Sequence, residues 1–174
     1  MENLKSGDLA VPFSCRDLHG NLIDLSDYRG KKVLLSFFRG APCPFCNLRV
    51  HQLIGKYGEF EAADIAIITF FAASKEEILS YAGKQKAPFP IIPDPSLEIY
   101  KKYGITQSSW GMIRAMLQPR KMWKVMTSGF FNMKSIRERP IIPADFLIDN
   151  NQVLYRVHYG KDFGDHLSLE EILP

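Results

Sequence analysis

The sequence predicts an α/β fold with a central mixed sheet flanked by helices and an N-terminal β-hairpin. Three observations carry this. Apolar runs of strand length alternate with segments of helical period. One run, KKVLLSFF, is continuous over residues 32 to 38, as expected of a strand buried on both faces. Near the C-terminus, DFLID and QVLYRVH flank Asn150-Asn151, a turn pair that tolerates left-handed backbone, so a closing hairpin adds antiparallel strands.

The elements follow in order. Val11 to Asp17 and Asn21 to Leu25 read as two short strands around LHGN, where Gly20 and Asn21 tolerate positive φ. After the strand at 32 to 38 come Arg39-Gly40 and then a helix over 44 to 58. Pro44 suits its first position, and Cys46, Val50, Leu53 and Tyr57 share one face. Ile65 to Phe71 is a second strand. Ser74 and Glu77 form a capping-box pattern that opens a helix to about Gly83. FPIIPDPS is extended, Pro95 starts a helix that Gly104 ends, and Ser168 with Glu171 makes a second capping box before a short last helix.

Composition bounds the classes. At 174 residues, 46% hydrophobic and 24% charged, the chain suits a single domain over 1–174, without internal repeats or Gly/Ser linkers. The opening MENLKSGDLA has no apolar signal region, and the longest apolar stretch, within residues 62 to 73, is too short to span a bilayer. The expectation is a cytoplasmic protein with no transmembrane segment. Three cysteines are too few and too odd for a disulfide framework.

Cys43 and Cys46 form a CxxC pair, CPFC, directly after the first central strand. Three readings compete. A zinc site needs four ligands, and Cys15, His19, His51, His158 and His166 supply no second pair at ligand spacing, so no metal and no cofactor are expected. Simple packing leaves Pro44, and the placement of Cys43 at a helix start, without a reason. In the redox reading, Cys43 at the N-cap faces free backbone N–H groups and the positive end of the helix dipole, which favour a thiolate, and Arg39 adds to this. Cys46, one turn later, resolves a mixed disulfide or sulfenic acid.

The stretch VPFSCRDLHGNLIDLSDYRGKKVLLSFFRGAPCPFC, together with KAPFPIIPDPSLEIYKKYG and IPADFLIDNNQVLYRVHYG, resembles the peroxiredoxin-like AhpC/TSA group of the thioredoxin-fold superfamily. The resemblance covers nearly the whole chain and implies a thioredoxin-like fold, an antioxidant thiol activity, and an external thiol reductant of the thioredoxin or glutathione type. Pro143 matches the cis-proline that shapes the substrate groove in thioredoxins. HYGKDFGDH also resembles a C-terminal feature of the group. Two departures stand out. In the peroxiredoxin pattern Pro-x-x-x-Thr-x-x-Cys, Cys46 takes the cysteine position, Cys43 the threonine and Arg39 the proline. The remote peroxide-binding arginine falls at Pro143, with Arg137 or Arg139 as nearby replacements. The two templates name different nucleophiles, Cys46 by the peroxiredoxin pattern and Cys43 by thioredoxin logic, and helix periodicity favours Cys43.

The segment 105–139 exceeds what a minimal thioredoxin fold needs. It holds seven basic residues (Arg114, Arg120, Lys121, Lys124, Lys134, Arg137, Arg139) against Glu138, hence +6 of a total of +3, so the rest carries −3. Both tryptophans, Trp110 and Trp123, and five of the six methionines lie there. Ile113, Met116 and Leu117 share one helical face, and Met122, Trp123 and Met126 begin another after Gln118-Pro119. The readings are a helical insertion packed on the domain or a docking surface for a protein partner or an acidic membrane face; no nucleic acid is expected. The expected function is a thiol-disulfide oxidoreductase using Cys43 and Cys46. The alternatives are a peroxidase with Cys46 as peroxidatic thiol and a redox-sensing binding module.

Overall fold

The computed structural model describes residues 3–107, 118–130 and 138–174, with Arg120, Lys121, Met122 and Lys124 described by backbone alone. β1 (Ser14–Arg16) and β2 (Leu22–Asp24) form the N-terminal hairpin, followed by a 3₁₀ turn over Leu25–Tyr28. Then come β3 (Lys32–Phe38), α1 (Pro44–Gly55), α2 (Tyr57–Ala62), β4 (Ile65–Phe71), α3 (Lys75–Ser80), β5 (Ile91–Pro93) and α4 (Glu98–Lys102). α5 (Pro119–Thr127), β6 (Ala144–Ile148), β7 (Leu154–Tyr159) and α6 (Leu169–Ile172) complete the chain. The main sheet has the order β5-β4-β3-β6-β7, with β3, β4 and β5 parallel and β6 and β7 joining antiparallel. It is the mixed, helix-flanked sheet of a thioredoxin-like fold.

β3 is central because it is apolar on both faces. Its even members, Leu34 and Phe38, pack with Ile67, Phe71 and Leu147 under α1, α2 and α3. Its odd members, Val33, Leu35 and Phe37, pack with Phe70, Phe146, the hairpin and α4. Phe37 stacks on Phe70 at 5.0 Å and meets Tyr100 and Phe146 edge-on at 5.0 and 5.8 Å. The Tyr100 hydroxyl reaches the carbonyls of Phe38 (2.5 Å) and Phe70 (2.9 Å), pinning the ends of β3 and β4.

Several boundaries differ from expectation. The predicted helix over 44 to 58 is two helices, parted at Lys56 between Gly55 and Gly58, whose backbone entropy disfavours continuation. α3 stops at Ser80 and gives way to a 3₁₀ turn over Ala82–Gln85, so it ends before Gly83. α4 does not start at Pro95. Leu97 takes left-handed backbone (φ 60), and the Asp94 carboxylate accepts the Glu98 and Ile99 N–H groups at 3.1 and 2.8 Å, capping the helix from before the proline. In the closing hairpin the left-handed residue is Gln152 (φ 65) rather than an asparagine, because Asp149 accepts the N–H groups of Asn151 and Val153. Gly20 alone takes positive φ in the N-terminal turn. Both capping boxes form.

Of the segment 105–139, α5 is helical from Pro119, at the point read as a break in the pattern; among its described side chains Val125 is buried, while Trp123 and Met126 are exposed. The face of Ile113, Met116 and Leu117 lies outside the described residues.

One buried charge cluster ties β6 to the C-terminal loop. Asp145 is fully buried and accepts from the Ser36 hydroxyl, from His166 Nδ1 (3.1 Å) and from the Leu167 N–H (2.7 Å). Burial pushes its carboxyl up, but His166, the Arg49 charge and the Ser36 hydrogen bond outweigh that and hold it well below the usual carboxylate range. A depressed folded-state pKa stabilises the protein above the unfolded value of about 4, and that contribution is lost as pH falls through the lower folded value. Asp145→Ala is therefore expected to cost about 3 kcal/mol in urea unfolding at neutral pH, with the deficit relative to wild type shrinking as the pH is taken below about 4. An unchanged unfolding midpoint would show that the cluster holds nothing.

Candidate active site

The site begins where β3 ends. The chain leaves the sheet at Phe38, passes Arg39-Gly40-Ala41-Pro42 and enters α1 with Cys43 as N-cap (φ −65, ψ 118) and Pro44 in the first turn. Asn47 holds this loop, its side-chain amide donating to the Ala41 and Cys43 carbonyls at 2.8 Å each. Cys43 and Cys46 are free thiols, both fully buried.

The two sulfurs sit in the same apolar surroundings and diverge. Burial pushes the Cys43 thiol up, but the Cys46 hydrogen bond, the Arg39 charge and the backbone N–H groups of Cys46 and Phe45 outweigh it, and the net direction is down. For Cys46, burial comes first, followed by the hydrogen bond and the charge of Cys43, and together they push it well above the ordinary thiol range.

Arg39 is buried and fixed on three sides. Its Nε donates to the Arg139 carbonyl (2.8 Å), Nη2 donates to the Glu138 carbonyl (3.0 Å), and its guanidinium lies 4.1 Å above the Phe163 ring. The Glu138 carboxylate covers Gly40 so closely that a Cβ there would lie 2.0 Å from its Oε2. Burial and the Glu77 charge raise the Glu138 carboxyl against the pull of Arg39 and Arg139.

Pro143 immediately precedes β6. Phe37 pairs with Ala144, so Pro143 lies one step further, level with Phe38 at the edge where the loop departs. Its peptide bond is trans, like all those described, so it lacks the cis geometry that the thioredoxin pattern attaches to the position. Its carbonyl accepts the Gly160 N–H at 2.9 Å, an approach that leaves no room for a Cβ on Gly160. Arg139 does not replace the remote arginine: its side chain is directed to the Pro95 carbonyl (2.9 Å). Arg137 lies outside the described residues.

Sequence reasoning missed Asp145, His166, Phe163 and Glu138. Three of these positions or their partners fall in or beside HYGKDFGDH, the run identified by resemblance alone. It supplies Phe163 beneath Arg39, and His158, whose ring is 3.3 Å from Asp165, a bond that raises the imidazole against its partial burial. Among the described residues, no three His, Cys, Asp or Glu side chains gather as a metal would require. Cys15 is half-buried on β1, away from the pair.

The AhpC/TSA family matches residues 6–157. Peroxiredoxin Bcp of Escherichia coli (strain K12) is 27% identical over 111 residues, 64% of this chain and 69% of the relative. Thiol-disulfide oxidoreductase ResA of Halalkalibacterium halodurans is 32% identical over 102 residues, 58% of this chain and 57% of the relative. The chain spans 64% of the length of two Mycobacterium tuberculosis relatives that it also matches. In structure it is similar to peroxidoxin BcpB from Mycobacterium tuberculosis, with a TM-score of 0.67 at 16% identity over 90% of this chain and 86% of the other. No described helix is long and apolar enough to cross a membrane.

The asymmetry is testable by alkylation. Iodoacetamide labelling of the reduced protein, resolved by peptide mass spectrometry, is expected to modify Cys43 with a pH midpoint below the ordinary thiol value, and Cys46 only at much higher pH. Arg39→Ala is expected to move the Cys43 midpoint upward. Equal midpoints for the two cysteines would contradict the assignment.

Proposed function

Because the chain belongs to the AhpC/TSA family, we propose that it is a thiol-disulfide oxidoreductase cycling Cys43 and Cys46 between dithiol and disulfide. One observation supports this above the others: two buried thiols one helical turn apart, shifted in opposite directions, with the lowered one at the helix N-cap. Such a pair supplies a nucleophile and a held proton together.

In the proposed cycle the Cys43 thiolate attacks one sulfur of a disulfide RS–SR′. The Cys43–SR bond forms, RS–SR′ breaks, and R′S⁻ leaves. Cys46, after giving up its proton, attacks the Cys43 sulfur and expels RS⁻. Two electrons have then passed to the substrate, and the protein holds a Cys43–Cys46 disulfide. An external thiol of the thioredoxin or glutathione type reduces it. Arg39 favours the thiolate, Pro44 sets the start of the helix so that Cys43 falls at its cap, and Pro143 flanks the strand end from which the loop departs. A reducing, cytoplasmic setting belongs to the same proposal.

A second reading, a thiol-dependent peroxidase, is favoured by the family and by the relative named peroxiredoxin. Here a thiolate attacks ROOH, gives a sulfenic acid and ROH, and the other thiol condenses with it, releasing water. Full burial of both sulfurs suits a small peroxide better than a protein disulfide. Cys46 as the peroxidatic group is disfavoured by its raised pKa.

With excess dithiothreitol as the electron source, the protein should reduce insulin disulfides with catalytic turnover. Cys43→Ser is expected to lose about 100-fold or more of that rate, while Cys46→Ser accumulates a mixed disulfide on Cys43 visible by mass spectrometry. Fast hydrogen peroxide consumption that survives Cys43→Ser and disappears with Cys46→Ser would instead make this a peroxidase of the second kind. Oxidation once without turnover in either assay would leave a redox-sensing module.

A further inference from the structure

We propose that α5 is an interfacial helix that docks the protein on an anionic lipid surface. The argument is independent of the dithiol chemistry. Trp123 is 70% exposed and Met126 65% exposed, three residues apart on one nine-residue helix, whereas Val125 between them is buried. Single apolar side chains as open as these occur elsewhere on the surface, at Leu9 and Leu22, but here two lie together on one helix.

The helix is held so that these side chains stay outward. At its N-terminal end the Gln118 amide donates to Asp162 Oδ2 at 2.9 Å. Past its C-terminal end Phe130 lies 5.9 Å from the His51 ring of α1, and Ser128 Oγ donates to the Val125 carbonyl at 2.7 Å. Anchored at both ends and by Val125 in the middle, α5 presents Trp123 without needing it for packing.

Charge identifies the occupant. The segment 105–139 carries +6 while the remainder of the chain carries −3, and α5 itself contributes Arg120, Lys121 and Lys124 with no acid. A short basic helix with an exposed indole has the composition of a helix lying in a headgroup region, where the ring sits at the boundary and the cations meet anionic lipid. Among the described residues of the segment, the two exposed apolar side chains are a small fraction of the roughly 800 Å² per partner that a stable protein interface buries. Adsorption to lipid needs no such contiguous area, since each basic residue adds its own attraction.

The test uses the full chain with Trp110→Phe, so that Trp123 alone reports, and vesicles of phosphatidylcholine with or without phosphatidylserine. The expected result is co-sedimentation with the mixed vesicles only, a blue shift of Trp123 emission, and a steep loss of binding as salt is raised. Trp123→Ser with Met126→Ser, in the chain that keeps Trp110, should weaken sedimentation roughly tenfold with an unaltered thermal midpoint, as should Lys121→Gln with Lys124→Gln. Absence of binding, or binding unaffected by the Trp123→Ser/Met126→Ser pair, would overturn the proposal. Tighter binding to polyglutamate than to the mixed vesicles would overturn it in favour of an acidic protein partner. Turnover on a soluble disulfide is expected to be the same in every variant, which separates this surface from the dithiol reading.

Discussion

The structure depends on the burial of β3 on both faces. A strand with only Lys32 exposed must be covered above and below, which places α1, α2 and α3 on one side and α4 with the hairpin on the other. The loop that leaves its C-terminal end therefore starts in the interior. Tyr100 is the clamp at that point, because its hydroxyl meets the last carbonyl of β3 and the next-to-last of β4. Its position comes from α4, and α4 begins where Asp94 caps it. A carboxylate fifty residues away in sequence thus helps fix where the dithiol loop leaves the sheet.

The charged groups buried around this loop hold geometry more than they add stability. An ion cluster taken from water loses hydration that its internal attraction does little more than offset, so apolar substitutes are commonly as stable. What apolar side chains would not do is hold the C-terminal loop in register. Asp145 takes the Leu167 N–H while Arg49, from α1, donates to the Leu167 carbonyl (2.7 Å), so one peptide segment is gripped from the sheet and from the helix. The same loop carries Phe163 under Arg39. The cation beside Cys43 is thereby positioned by residues that never touch the sulfur.

Much of this was readable in the sequence where the deciding interactions are local. The bounds of β3 and β4 followed from continuous apolar runs, both capping boxes from their three-residue spacing, and the N-cap place of Cys43 from Pro44 behind it. What was not readable is decided at a distance. Ser36 and Asp145 are 109 residues apart, Arg39 and its carbonyl partner at Arg139 100 apart. Nothing in HYGKDFGDH announces that its neighbours are a buried carboxylate and a guanidinium. The local errors have a common form: a proline or asparagine was read as the organising residue where a nearby aspartate, Asp94 or Asp149, collects the backbone N–H groups.

In the proposed cycle, the order of reaction within the pair is a consequence of helix geometry. Both sulfurs are equally buried, so burial raises both and cannot distinguish them. The distinction arises because Cys43 precedes the first turn, where N–H groups are free, whereas Cys46 lies inside it. A negative charge on Cys43 is favoured by those groups and by Arg39, and that same charge makes a second one on Cys46 unfavourable. On the proposed mechanism the proton is kept on Cys46 until Cys43 is spent in a covalent bond, and only then does the electrostatic obstacle to ionising Cys46 disappear. In the peroxiredoxin pattern that the chain resembles, the Cys43 position belongs to a threonine hydroxyl that binds a peroxide oxygen. In the proposed chemistry a sulfur at that place serves as the nucleophile instead of a hydroxyl that binds oxygen, so the departure from the pattern and the proposal rest on the same residue.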